Sequence, residues 1–133
     1  MNEANGPWGP VRALLVSSVP ENSASLERMF QVHNWHLDQV TTSCEAIAFA
    51  RQHETPVVIC ERHLPDGDWK AVLNGFEELF VRLSLIVTSH LADEALWAEV
   101  LNLGGYDVLA QPFDQGEVYR VVLHAWRHAT HAV

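Results

Sequence analysis

Val57-Val58-Ile59-Cys60-Glu61-Arg62-His63-Leu64-Pro65-Asp66-Gly67 is an unbroken apolar run that stops at one carboxylate and passes into a turn carrying Pro and Gly. A strand with one wet face would alternate apolar and polar residues. A continuous run instead suits a strand buried on both faces, as in a parallel sheet covered by helices. The carboxylate of Glu61 then stands at the carboxyl end of that strand.

Working outward, three more short apolar runs have strand character: Val11 to Val16, Leu83 to Val87, and Val108 to Ala110. A fifth, His36 to Val40, alternates like a half-exposed edge. The segments between them show helical spacing. Leu26, Met29, Phe30 and His33 recur at three and four, as do Ala46, Ile47 and Ala50, and Leu96, Val100 and Leu103. The last segment places Val118, Val121, Val122, Ala125 and Trp126 on one face, behind Asp114 as a helix N-cap. Strand and helix alternate five times, which predicts a doubly wound α/β domain with right-handed crossovers.

In such a sheet a site forms at the carboxyl ends of the strands, near the point where strand order reverses. The residues at those ends are Ser17 and Ser18, Glu61, Thr88 and Ser89, and Gln111. All are small or polar. A structural loop could supply any one of them; all of them at one end of one sheet mark a site.

The chain of 133 residues, 48% of them apolar, is expected to form one domain over 1–133 with its core at about 11–130. No apolar stretch is long enough to span a bilayer, and Met1 to Pro7 lacks the regions of a signal peptide, so a cytoplasmic location is expected. A formal charge of −9 opposes a phosphate backbone and anionic lipid alike, so neither nucleic acid nor membrane is expected as a partner. Cys44 and Cys60 follow no metal-site or disulfide spacing and read as buried free thiols.

From about Val11 to about His128 the chain resembles the receiver domains of response regulators, the CheY-like family. Leu64-Pro65-Asp66-Gly67 is similar to that family's turn after the phosphoacceptor, and Gly104-Gly105-Tyr106-Asp107 to its approach to the fifth strand. The resemblance implies a flavodoxin-like (βα)5 fold with strand order 2-1-3-4-5 and a role in two-component or phosphorelay signalling. In a working receiver the first strand ends in two acidic residues, the third in the acceptor aspartate, the fourth in Thr or Ser, and the fifth in Lys-Pro. Here those places hold Ser17-Ser18, Glu61, Thr88 and Gln111-Pro112.

The departures are mutually consistent. Three carboxylates repel unless Mg²⁺ and a lysine neutralise them, and magnesium asks for hard oxygen ligands in octahedral geometry. With one carboxylate left, Mg²⁺ binding is expected to be weak or absent, no cofactor is implied, and an incoming phosphoryl group has no electrostatic clamp. Ser17, Ser18, Thr88 and Gln111 could instead donate to Glu61, at roughly 1.5–3 kcal/mol for each bond to a charged acceptor. This predicts a degenerate pocket acting as a polar plug in a pseudo-receiver, a non-enzymatic protein-interaction module. A sharper version has the longer Glu61 mimic a phosphorylated state and hold Thr88. Val108, at the place of the family's aromatic switch residue, weakens any coupling outward.

Alternative readings are a receiver phosphorylated by unusual chemistry, for instance at Asp66, and a small-molecule or metal sensor. His124, His128 and His131 share a helical face, though histidines near a helix C-terminus also suit the helix dipole. Cys60 with Glu61 and His63 could suggest a thiol nucleophile, but alternation turns Cys60 into the core. Tryptophans stand at 8, 35, 69, 97 and 126; Trp69 and Trp97 are expected to be partly exposed near a contact surface. The resemblance points to the face of the fourth helix, fifth strand and fifth helix for a protein partner or a homodimer.

Overall fold

The structure is a computed structural model and describes residues 10–130. Trp8 and His131 lie outside the described residues. Strands and helices alternate as β1 (Arg12–Val16), α1 (Pro20–Val32), β2 (His36–Val40), α2 (Ser43–Ala50), β3 (Val57–Glu61), α3 (Trp69–Glu78), β4 (Ser84–Ser89), α4 (Glu94–Leu103), β5 (Asp107–Ala110) and α5 (Gln115–Thr130). Five strands pair in the order β2-β1-β3-β4-β5, all parallel. The doubly wound sheet and its strand order are those expected. One addition lies in the turn after β3, where His63–Leu64 and Gly67–Asp68 pair as a short antiparallel hairpin.

Alternation along the strands divides the core in two. Ala13, Leu15, Val57, Ile59, Ile86 and Leu109 meet Leu26 and Phe30 of α1 and Val118, Val121, Val122, Ala125 and Trp126 of α5. On the opposite face Leu14, Val16, Val58, Cys60, Leu85 and Val87 meet α2, α3 and α4 through Ala46, Trp69, Val72, Phe76, Leu96 and Val100. All five residues of β3 are buried, which is why its sequence does not alternate. The edge strand β2 keeps His36 and Gln39 exposed.

Local signals set the helix ends. Thr42 and Glu45 form a capping box at α2, with the Glu45 amide donating to Thr42 Oγ1 at 3.1 Å and the Thr42 amide to Glu45 Oε1 at 3.2 Å. Asp93 Oδ1 accepts the Leu96 amide at α4, and Asp114 Oδ2 accepts the Glu117 amide at α5. Gly104 ends α4 in the left-handed region at φ 107°. After α3 the same type of stop uses Phe80, at φ 56° and 96% exposed, and the Val81 amide donates back to the Phe76 carbonyl.

Three expectations are corrected. Trp69 is 1% exposed, because the Asp68 cap starts α3 with Trp69 turned into the core. Cys44 is exposed rather than buried, since the first turn of α2 directs Ser43, not its neighbour, inward. Leu103, expected on the core face of α4, is 47% exposed in the last helical turn. Trp97 is partly exposed, as expected.

Candidate functional site

The carboxyl ends of β1, β3, β4 and β5 bring Ser17, Glu61, Thr88 and Gln111 together, all buried. Parallel register fixes the neighbours: Glu61 of β3 lies opposite Thr88 of β4, and Thr88 opposite Leu109 of β5. Backbone bonds extend the ladder past the strands, from the Ser17 amide to the Val40 carbonyl and from the Gln111 amide to the Ser89 carbonyl, both at 3.0 Å. The ends are therefore held by main chain before any side chain acts.

One oxygen of Glu61, Oε2, is held by its own surroundings. Ser17 Oγ donates to Glu61 Oε2 at 3.0 Å and accepts the Val19 amide at 3.1 Å. Asn22, in the first turn of α1, donates its Nδ2 to the same Oε2. Ser17 therefore does what the sequence suggested. Asn22 was not anticipated: it belongs to none of the strand ends, and only the way α1 crosses over the end of β3 brings it there. Nothing local in the sequence marks it: it stands two residues after Pro20, half-buried in the first turn of α1.

The other expected donors go elsewhere. Ser18 is exposed, because alternation at the end of β1 points it away from its predecessor. Gln111 Nε2 donates to Thr88 Oγ1 at 2.9 Å, not to Glu61. The pocket thus splits into two linked pairs, Glu61 with Ser17 and Asn22, and Thr88 with Gln111. The Gln111–Pro112 peptide is cis. Val108 is partly buried on β5, with no ring at that position.

Asp66, the alternative acceptor, is committed to α2. Its Oδ1 accepts the Ser43 amide at 2.9 Å, and its Oδ2 accepts Ser43 Oγ at 2.8 Å and the Cys44 amide at 3.1 Å. These bonds, led by the Ser43 amide, hold the Asp66 carboxyl well below the usual carboxylate range. Cys60 is fully buried; desolvation first, then the charge of Glu61, pushes its thiol far up, so it has no nucleophile to offer. On α5, His124 is exposed while His128 Nδ1 lies 3.3 Å from Ser84 Oγ and its ring 5.2 Å from that of Tyr106. Among the described residues no group of three or more His, Cys, Asp or Glu side chains is placed to hold a metal ion. No described helix is long and apolar enough to cross a membrane.

No family model matches the sequence, and no curated protein matches it. Solved structures do. The chain is similar to the signal receiver domain of a putative LuxO repressor protein from Vibrio parahaemolyticus, with 20% identity, a TM-score of 0.83, and 90% of this chain and 92% of that one covered. It is similar to the receiver domain of sensor histidine kinase PA1611 from Pseudomonas aeruginosa PAO1, which carries a magnesium ion in its active-site cleft (20% identity, TM-score 0.74, 91% and 98% covered). It is also similar to the CheX-CheY-BeF3-Mg complex from Borrelia burgdorferi (21%, 0.79, 86% and 88%). The fold is that of the response-regulator receiver domains.

Proposed function

We propose that this chain is a receiver-type domain of two-component signal transduction in which a fixed hydrogen-bonded plug has replaced phosphoryl transfer. It works as a non-enzymatic protein-interaction module in the cytoplasm. The observation that carries this reading is the convergence of Ser17 and Asn22 on Glu61 Oε2. One of the two carboxylate oxygens, Oε2, already accepts two protons.

The donor set does not fit a magnesium ion. One carboxylate stands where the resemblance implies three, and Ser17 spends its proton on that carboxylate. Nor does a lysine stand by to draw in an anion: the amide at 111 is turned onto Thr88. Without either charge, the developing negative charge of a phosphoryl group in flight has nothing to meet. Transfer to Asp66 is disfavoured for a different reason, since both of its oxygens are engaged at the N-terminus of α2. The phosphorylation-mimic version needs Glu61 to hold Thr88, whereas Thr88 is bound to Gln111.

The test is intact-mass analysis after treatment with acetyl phosphate, with and without Mg²⁺. No added phosphoryl group is expected under either condition. A magnesium-dependent gain of one phosphoryl group would sink the reading. The surface of α4, β5 and α5 is the proposed contact face, for a partner protein or a second copy.

A further inference from the structure

Between α4 and the β5–α5 edge runs a groove of about 260 Å³ lined by Ala92, Asp93, Glu94, Trp97, Val108, Ala110 and Glu117. Its floor is apolar. Trp97 is 50% exposed, and Leu91, next to the rim, is 63% exposed. Large aromatics left half in water at the edge of a concave apolar surface are the usual anchors of protein contacts. With Val108 at its β5 position, no ring from the strand fills the groove beside Trp97.

The charged residues of that wall all have one sign. Asp93, Glu94 and Glu117 line the groove, and no Lys, Arg or His does. Lys70, on α3, is engaged with Glu99 of α4 at 3.0 Å. Among the described residues neither Glu94 nor Glu117 forms an ion pair. A second copy docking this face on its counterpart would bring like carboxylates together on a chain that already carries −9.

We infer that this groove takes a cationic amphipathic segment of a partner protein, an apolar side chain resting on Trp97 and Val108 and basic side chains meeting Asp93, Glu94 and Glu117. The inference rests on the interaction-module reading above and names the chemistry of its partner. Phosphorylation is not part of it, so the two fail separately: a mass gain with acetyl phosphate strikes the first, and the titration below strikes only the second.

The experiment is an NMR titration of the ¹⁵N-labelled protein with two synthetic helical peptides that share one leucine stripe, one carrying lysines and the other glutamates. The lysine peptide is expected to shift amides in 91–97, 108–111 and 117, and the glutamate peptide to shift none. Trp97→Ala and the double variant E94Q/E117Q should each weaken binding by about tenfold. The charge-matched control E54Q/E78Q, at exposed positions away from the groove, should bind as the wild type does. Shifts spread over the whole acidic surface, equal response to both peptides, equal loss in the control, or no response at millimolar peptide would each overturn the proposal. So would sedimentation showing a dimer that Trp97→Ala dissociates, since a second copy would then own the face.

Discussion

At Glu61 two donors share a single acceptor oxygen, and that arrangement has a measurable signature. Glu61→Ala strands the Ser17 hydroxyl and the Asn22 amide in a largely buried place, so it should cost about 1–3 kcal/mol in urea unfolding. The loss should be the same with and without Mg²⁺; a loss that appears only when magnesium is present would mean that the ion, not the donors, is the partner of Glu61. Because both donors act on Oε2, S17A and N22A should be coupled, the double variant departing from the sum of the singles by about 0.5 kcal/mol or more. Strict additivity would show that the two bonds are independent. Ser17 was readable because it ends an apolar run. Ser18 and Asn22 were not: the first needs the pleat to say which way each of two adjacent hydroxyls faces, and the second needs the path of α1 across a strand 39 residues away.

Among the elements, α2 is tied down by a carboxylate from outside itself. Asp66 accepts from Ser43 and Cys44, and its folded-state pKa is depressed. A depressed carboxylate contributes stability that is fully present above its unfolded pKa, about 3.9, and that is lost as pH falls through the folded value. Asp66→Ala should therefore lower the Tm at neutral pH, and the gap from wild type should narrow steadily as the pH drops below about 4. A gap that stays constant down to strongly acid pH would remove Asp66 from the cap. The stop of α3 offers a change of the opposite sign. Phe80 sits in the left-handed region with its ring in water, so Phe80→Gly should raise stability by about 0.5–1 kcal/mol, read as a higher denaturant midpoint at unchanged slope. The elements themselves were legible, since unbroken apolar runs and three-four spacing specify strands and helices locally. What escaped was orientation at their ends. Cys44 and Trp69 each begin a helix, where one residue of slip in the cap decides whether a side chain enters the core or leaves it.

For the molecule as a whole, the departures at the strand ends act as a set, so restoring charge at one place should do little. The variant S17D/S18D/E61D/Q111K rebuilds the donor pattern that the resemblance implies, and it should take up a phosphoryl group from acetyl phosphate in a magnesium-dependent manner, while E61D alone should not. Intact mass decides both. Acceptance by E61D alone would show that the missing charges matter less than the reach of one side chain. The quadruple variant is expected to keep the fold, because the ladder there is closed by main-chain bonds from the Ser17 and Gln111 amides.

The strand order also governs what a growing chain can safely show. In chain order β3 lies on the free side of β1, and β4 and β5 each lie beside the strand before them, so a sheet assembled in the order of synthesis would widen in one direction. The finished edges are blunted by His36, Asp38 and Gln39 on β2 and by the short β5 with Asp107. A polypeptide halted after Ser89 would expose β4 instead, with Leu85, Ile86 and Val87 in unbroken succession and a full row of unpaired amides. Fragments ending there should clump, whereas those carried through Thr130, which add β5 at the edge and α5 over the sheet, should stay dispersed; the last short strand, dull in chemistry, is the lid on an adhesive seam.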